Sequence, residues 1–284
     1  MHWDDPDLNW PNASASRFIS ERPHRWHVQD VGSGPILLLI HGAGGATHTW
    51  RSLIPTLAKT HRVVALDLPG QGFSKAGTRH RSSLDLMSED IGRLIDAQGW
   101  EIDTVIAHSA GSAIALKLAL NGDIGSAKVI GINPALANFK GLAGVLFPMF
   151  AKLLSLNPFT ANVFVATSGS ESSVKRLIEG TGSVIDDEGM RLYTALISDR
   201  NHVDATLAMM AHWSLDGLVA DLPNVRNQVL FLIGENDKAV PPDTGETAAK
   251  KMPNASTVRL PNLGHLAHEE DPEGTHAAIL NFVK

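Results

Sequence analysis

Several short apolar runs along the chain end in glycine, aspartate or proline, and amphipathic stretches separate them. This alternation is typical of a mostly parallel sheet flanked by helices, so an α/β fold is predicted. A chain of 284 residues, 43% of them hydrophobic, can bury a large core. A hairpin of residues 17–19 and 26–31 is predicted first. Further strands are predicted at residues 36–40, 62–67, 104–107, 128–132, 229–233 and 257–260, and helices at 50–59, 83–98, 110–121, 245–251 and 272–282.

The long stretch between Ile132 and Val229 has helical periodicity and few strand signals. Such a stretch is too long for a simple crossover in a compact domain. It is interpreted as an inserted helical cap, residues 134–223, over the carboxyl ends of the strands, where open α/β sheets bind their ligands. Residues 1–133 and 224–284 then form the core.

Composition limits the possible partners. A formal charge of −6 argues against a nucleic-acid binder, and the lack of cysteine excludes thiolate metal sites and a cysteine nucleophile.

The acidic first residues lack the features of a secretory signal, so a cytoplasmic location is expected. Residues 141–159 are apolar but interrupted by Pro148, Lys152 and Pro158, which disfavours a transmembrane span. They are interpreted as a buried or substrate-facing cap segment, and peripheral membrane contact stays open.

The sequence AHSAG, residues 107–111, stands between an apolar run and a helical segment. A nucleophilic serine on such a strand-to-helix turn needs small residues two positions before and after it, and Ala107 and Gly111 meet this need. Alanine here replaces the first glycine of G-x-S-x-G. A serine that merely caps the helix is the alternative. The pattern predicts Ser109 as a nucleophile.

A serine hydroxyl needs a base to become a good nucleophile. His265 follows the last predicted strand and precedes the final helix, which is the place required by the chain order serine, acid, histidine. His268 is the competitor. His265 is preferred because Gly264 gives the adjoining loop conformational freedom.

An acid must orient the imidazole. Asp237, after the apolar run VLFLI, is predicted for this role. Glu235 lies too close to the strand end, and Asp243 is expected to begin the next helix. An alternative acid position, after the preceding strand, holds Asn133 and Pro134, which favours Asp237.

Developing negative charge on the substrate oxygen needs backbone N–H donors. One predicted donor is the N–H of Ala110, and the other is that of Ala43 in the glycine-rich loop HGAGG, with Gly44 as the alternative. His41 is expected to hold this loop through hydrogen bonds. The loop lacks the pattern of a phosphate-binding motif.

No histidine grouping has metal-ligand spacing, so neither a metal nor a cofactor is predicted. A substrate pocket under the cap could include several side chains, although core packing is the favoured interpretation of the methionine and tryptophan residues among them. These candidates are His108, His202, Met209, Met210, His212 and Trp213.

Five motifs between about residue 36 and residue 284 resemble those of the α/β-hydrolase superfamily in their order and spacing. They are HGAGG, DLPGQGFS, AHSAG, GENDKAVP and LPNLGHLAHEEDP. Gln71 stands where the DLPGHG turn usually has histidine. Five further segments resemble the magnesium-chelatase accessory proteins, which are encoded with the genes of bacteriochlorophyll biosynthesis. They are DLNWPNASASRFI, RWHVQ, GLAGVLFPMFAKLLSLNPF, RLIEGTGS and MMAHW. This second resemblance implies a link to magnesium porphyrin metabolism and supplies no reaction.

Two classes of function are therefore expected. The first is a metal-independent serine hydrolase that cleaves an ester or similar small, apolar acyl substrate through an acyl-enzyme. Carbon–carbon bond hydrolysis or cofactor-free perhydrolysis could use the same residues. The second is a non-catalytic tetrapyrrole-binding or magnesium-chelatase accessory protein.

Overall fold

An eight-stranded sheet forms the centre of the computed structural model, which describes residues 1–5, 8–137, 161, 165, 167 and 169–284. The strands are β1 (Ser16–Glu21), β2 (His24–Gly32), β3 (Ile36–Ile40), β4 (Arg62–Leu66), β5 (Ile102–His108), β6 (Lys128–Ile132), β7 (Val229–Gly234) and β8 (Ala255–Leu260). Their order is β1-β2-β4-β3-β5-β6-β7-β8. The β1–β2 and β2–β4 pairs are antiparallel and the others are parallel. The predicted fold class is confirmed.

Alternating side chains of the central strands enter two separate cores. In β3, Leu38 and Ile40 belong to one core, and Leu37 and Leu39 belong to the other. A strand covered on both faces has no polar side, which is why its sequence is the unbroken apolar run ILLLI.

Helices cover both faces of this sheet. The helices that lie wholly within the described residues are α1 (Ile54–Leu57), α2 (Leu84–Gln98), α3 (Ala110–Asn121), α4 (Glu171–Gly180), α5 (Asp187–Ser198), α6 (Arg200–His212), α7 (Asp216–Asp221), α8 (Asp243–Ala249), α9 (Ala267–Glu270) and α10 (Pro272–Val283). Short 3₁₀ helices span Ala13–Ala15, Thr47–Trp50, Arg79–Arg81 and Leu222–Asn224. Apolar residues of α2, α3 and α8 lie in the first core, and those of α1 and α10 in the second.

The helix predicted near residues 50–59 is present but shorter, since it spans only Ile54–Leu57. The chain forms the 3₁₀ helix Thr47–Trp50, a turn and then α1, which has Pro55 in its first turn. A proline ring clashes with the carbonyl of the residue four positions earlier, so a helix cannot continue through it without a break.

The described part of residues 134–223 contains α4 to α7 and the short Leu222–Asn224 helix, and no strand. The division into core and cap stays a prediction. The apolar segment 141–159 lies outside the described residues. In the part of the chain that is described, no helix is long and apolar enough to cross a membrane.

Parallel strands bring their carboxyl ends to one edge of a sheet. The loops that follow β3, β5, β6, β7 and β8 therefore meet at this edge, which we call the carboxyl edge. These loops carry Ala43, Ser109, Asn133, Asp237 and His265 in turn.

The buried carboxylate of Asp67, just after β4, ties three segments together. Its Oδ1 accepts from the N–H of Thr47 at 2.6 Å, and its Oδ2 accepts from the N–H of Phe73 at 2.8 Å and lies 2.7 Å from Nδ1 of His27. Burial alone would raise the pKa of Asp67, but the His27 imidazole and the N–H of Phe73 lower this pKa to about 2.

Replacing Asp67 with asparagine is expected to lower the free energy of unfolding by about 3 kcal/mol at pH 7, because an amide N–H would face backbone N–H groups in a buried site. Urea unfolding measures this change. Asp85→Asn is the control, since the Asp85 side chain is 74% exposed beside Lys117, and it should cost less than about 1 kcal/mol. Equal stability of the two variants would contradict the role given to Asp67.

Candidate active site

Ser109 occupies a strained turn between β5 and α3. Its φ of 50° and ψ of −118° lie in a backbone region that residues other than glycine rarely adopt. A Cβ atom on Gly111 would lie 2.5 Å from the carbonyl oxygen of Ile40, so only glycine lets α3 approach β3 this closely. The small residue that the sequence pattern required is therefore needed for close packing.

His265 lies between Asp237 and Ser109. Its Nε2 is 3.0 Å from Oγ of Ser109, and its Nδ1 is 2.7 Å from Oδ2 of Asp237. The other oxygen of Asp237 accepts from the N–H groups of Ala239 and Val240, both at 2.8 Å. All three predicted residues are thus joined by hydrogen bonds, and both carboxylate oxygens have donors.

The competing residues lie elsewhere. His268 is buried with its Nε2 2.7 Å from Oγ1 of Thr49, and burial together with nearby Arg51 lowers its pKa to about 3. Glu235 is exposed beside Arg259 on the protein surface, and Asp243 begins α8. Of these groups, only His265 is within hydrogen-bond distance of the Ser109 hydroxyl.

Gly264 has a different physical role from the one predicted. Its backbone is outside the left-handed region, but a Cβ atom on it would lie 2.3 Å from the carbonyl carbon of Gly182. Glycine is required here because two backbones meet, and conformational freedom beside His265 is not the reason.

The predicted oxyanion loop follows β3. His41 donates from Nδ1 to the carbonyl of Gly42 at 2.7 Å, and its Nε2 accepts from the N–H of Leu68 at 2.9 Å. Burial lowers the pKa of His41, which fits this neutral pattern of one donor and one acceptor. The N–H of Gly44 donates to Oε1 of Gln71 at 2.8 Å. Because Gly44 is engaged in this way, the geometry favours Ala43 over Gly44 as the second donor.

Ala110 is the first residue of α3, so its backbone N–H has no hydrogen-bond acceptor within the same helix. It also lies at the positive end of the helix dipole, which favours negative charge nearby.

His108 is buried beneath the His265 loop, which differs from the substrate-pocket position predicted for it. Side chains alternate along β5, so His108 faces the side opposite to Ala107. Its Nε2 donates to the backbone carbonyl of His265 at 2.9 Å, and its ring centroid lies 4.7 Å from that of His268. Burial and these two neighbouring imidazoles lower the pKa of His108 well below its usual value.

The other pocket candidates lie on or just after α6. Met209 is 1% exposed, belongs to the first core and accepts from Nε2 of Gln71 at 3.3 Å through its sulfur. Trp213 is partly buried against the same core. Met210 is partly exposed and His212 is exposed. Core packing therefore describes Met209 and Trp213, and a substrate contact by Met210 stays a prediction.

His202 connects α6 to the oxyanion loop. Its Nδ1 accepts from the N–H of Gly72 at 3.0 Å, and its Nε2 donates to the carbonyl of Gly44 at 3.1 Å. Burial and the nearby His41 lower the pKa of His202 to about 4, so the imidazole is neutral near pH 7. Both ring nitrogens are used in hydrogen bonds to backbone.

The segment between α4 and α5 packs against both the acid loop and the histidine loop. The N–H of Lys238 donates to the carbonyl of Thr181 at 3.0 Å, and the N–H of Leu266 donates to Oγ of Ser183 at 2.8 Å. Glu270 accepts from the N–H groups of Gly264 and Val184. This segment supports the backbone beside Asp237 and His265, a contact that no local sequence pattern indicates.

Among the residues the structure describes, no group of three or more histidine, aspartate or glutamate side chains is arranged to hold a metal ion.

Comparison with known proteins gives consistent matches over almost the whole chain. A family model described as "alpha/beta hydrolase fold" matches residues 35–272. The chain is 42% identical to a Rhodobacter capsulatus protein named "Magnesium-chelatase 30 kDa subunit", over 97% of each chain. It is 25% identical to a Burkholderia cepacia 2-hydroxy-6-oxo-6-phenylhexa-2,4-dienoate hydrolase, over 91% of each. A solved α/β-hydrolase fold protein from Burkholderia ambifaria superposes with a TM-score of 0.78 at 24% identity, covering 94% of this chain and 97% of that one.

The neutral His202 is expected to make stability depend on pH. Its pKa is about 4 in the folded protein against 6.5 for the free side chain, so the unfolded chain takes up the proton first as pH falls. The stabilisation is complete above about pH 6.5 and decreases as pH falls toward 4. His202→Gln should therefore flatten the fall in unfolding free energy between about pH 7 and 4.5, measured by urea titration. His212→Gln, near the end of the same helix, should keep the wild-type slope; equal slopes in all three proteins would contradict this assignment.

Proposed function

The chain belongs to the α/β-hydrolase superfamily, and to the same family as the 30 kDa magnesium-chelatase subunit of Rhodobacter capsulatus; from this membership we propose that it is a serine hydrolase that transfers an acyl group to water through an acyl-enzyme. The observation that carries the proposal is the continuous hydrogen-bonded chain from Asp237 through His265 to Ser109. It lies at the carboxyl edge of the sheet, where α/β folds bind their ligands.

In the proposed reaction, Oγ of Ser109 attacks the carbonyl carbon of the substrate while Nε2 of His265 takes the hydroxyl proton. Asp237 holds Nδ1 of His265 and stabilises the charged imidazole. The N–H groups of Ala43 and Ala110 receive the negative charge that develops on the carbonyl oxygen. His265 then gives its proton to the leaving group as the bond to it breaks, and an acyl-Ser109 ester remains.

Water completes the cycle. His265 takes a proton from a water molecule, the resulting hydroxide oxygen attacks the acyl carbon, and Oγ of Ser109 leaves with that proton. No redox step occurs, and the enzyme returns to its starting state. The 25% identical relative named as a dienoate hydrolase supports hydrolysis of a small organic compound, and the same residues would serve if the bond cleaved were carbon–carbon.

A second serine offers a matched control. Oγ of Ser16 is 2.9 Å from Nε2 of His27, whose Nδ1 is 2.7 Å from Asp67. These distances are close to those around Ser109, but Ser16 begins β1 at the far end of the sheet. It has no strained turn and no helix N-terminus after it.

A fluorophosphonate probe is expected to label wild-type protein at Ser109, because only a serine activated by a base and backed by N–H donors attacks such reagents readily. Peptide mass mapping identifies the labelled residue. Ser109→Ala should lose labelling, and Ser16→Ala should keep it at the wild-type rate. Folded wild-type protein that stays unlabelled, or label that moves to Ser16, would overturn the proposed function.

The 42% identity to the magnesium-chelatase 30 kDa subunit favours a second candidate function, in which the protein binds a tetrapyrrole or assists the chelatase. In that case binding does not need the Ser109 hydroxyl. The chain contains six tryptophans, which provide an intrinsic fluorescence signal.

Titration with magnesium protoporphyrin should then quench tryptophan fluorescence saturably and equally in wild type and Ser109→Ala. A set of simple esters and tetrapyrrole esters, run with the same two proteins, reports hydrolysis separately. Absence of saturable quenching, together with no effect on the rate of a reconstituted magnesium chelatase, would rule out this second function and leave the hydrolase proposal intact.

A further inference from the structure

Asn133 is a buried residue at the carboxyl edge whose amide connects two other loops. It follows β6 directly, is 2% exposed and has a φ of 46°. Its Oδ1 accepts from the N–H of Gly234 at 2.6 Å. Its Nδ2 donates to the carbonyl oxygens of Gly264 at 2.8 Å and His265 at 2.7 Å. Both N–H groups and the oxygen of this amide are therefore used.

The partners of Asn133 belong to the two loops that must be aligned for proton transfer. Gly234 ends β7 and begins the turn that leads to Asp237, whereas the two carbonyls belong to the loop of His265 itself. These loops also touch directly, since the N–H of Asn236 donates to the carbonyl of Leu263 at 2.8 Å. The Asn133 amide lies between them and fixes their separation.

The carbonyl of His265 receives a second hydrogen bond, from Nε2 of His108 on β5. Two neutral donors, the Asn133 amide and the His108 imidazole, thus hold the backbone carbonyl of His265. A carboxylate at position 133 could not replace the amide, because it has no N–H and would bring negative charge against two carbonyl oxygens.

We propose that Asn133 is a positioning residue that fixes His265 relative to Asp237 and Ser109 by bridging the acid loop and the histidine loop. The inference rests on the proposed serine-hydrolase function and extends it to a residue that does not touch substrate. It also explains why the acid is at Asp237: the position after β6 is occupied by a group whose N–H donors the histidine loop requires.

Two substitutions test this role. Asn133→Gly removes the amide and keeps a residue that tolerates the positive φ. Asn133→Asp keeps the size and the backbone preference of asparagine but replaces the amide N–H donors with a carboxylate oxygen, which accepts hydrogen bonds when ionised. Asn227→Asp is the matched control, because Nδ2 of Asn227 also donates to two backbone carbonyls, those of Gly125 and Ala127, just before β7 and away from the carboxyl edge.

The turnover number is measured per serine that the fluorophosphonate probe titrates, on the ester that wild type hydrolyses best. Asn133→Gly should lower this number by about 10- to 100-fold with KM nearly unchanged, since misplacement by about 1 Å costs on this order. Asn227→Asp should lower the melting temperature and leave the turnover per titrated site at the wild-type value. A wild-type turnover per titrated site in Asn133→Gly would overturn the proposal, whatever its melting temperature.

The pH profile separates positioning from a general loss of stability. The carboxyl group introduced by Asn133→Asp can donate to one carbonyl while it is protonated, but it has no donor once it ionises. The activity of Asn133→Asp relative to wild type should therefore fall between about pH 5 and 8. The titratable side chains around this point are those of His108, Asp237, His265 and Glu270, and all are present in both proteins. The same ratio for Asn133→Gly should stay flat, and a flat ratio for Asn133→Asp as well would count against the proposal.

A readout without turnover keeps the test independent of the proposed function. The proton shared by Nδ1 of His265 and Oδ2 of Asp237 should give a downfield proton NMR signal, assigned by its loss in Asp237→Asn. This signal should shift or broaden in Asn133→Gly and remain in Asn227→Asp. If wild type is unlabelled by the probe, the hydrolase proposal fails; if the signal is unchanged in Asn133→Gly, the positioning role fails.

Discussion

The buried negative charge of Asp67 is the constraint on which the loop after β3 and the turn after β4 depend. A carboxylate removed from water must be matched by donors, and here the donors come from three different parts of the chain: His27 on β2, Thr47 after the loop that follows β3, and Phe73 in the turn after β4. Satisfying one buried charge therefore fixes where the loop after β3 ends. Gly44 in that loop is held in turn by Gln71 and His202, so Ala43 is presented by a segment anchored at both ends.

The loop of His265 is held differently, because most of the groups that bind its backbone are neutral. Asn133 and His108 donate to the backbone around His265, and Glu270 and Ser183 accept from it. Neutral amide and imidazole donors leave the charge balance of Asp237 and His265 unaltered, whereas another ion in direct contact with them would compete for the same proton. The segment between α4 and α5 also takes part in this support, which makes it a structural element of the site.

The sequence was sufficient to predict the sheet and to select three residues, Ser109, Asp237 and His265, that meet at its carboxyl edge, because these predictions depend on local patterns; their catalytic roles stay a proposal. Strand β3 is an unbroken apolar run, and Ser109 stands in a short motif with fixed steric needs. The helix predicted near residues 50–59 begins only at Ile54, because Pro55 cannot lie in the interior of a longer regular helix. The roles of Asn133, His108 and Ser183 could not be predicted, since their partners lie far away along the chain and polar contacts of this kind leave no periodic signal.

Two Ser-His-Asp arrangements within the described residues, around Ser16 and Ser109, differ in their surroundings. Hydrogen-bond distances do not distinguish them, because those around Ser16 and Ser109 are nearly equal. Around Ser16, the acid is fully committed to holding backbone segments and His27 is completely buried beneath Phe18 and Phe73, so a proton taken by His27 would have no leaving group within reach. Around Ser109, the backbone is strained to present the hydroxyl, and the first N–H of α3 follows it. Position at the carboxyl edge and a nearby place for negative charge thus separate the second arrangement from the first, and they support the proposed role of Ser109 as the nucleophile.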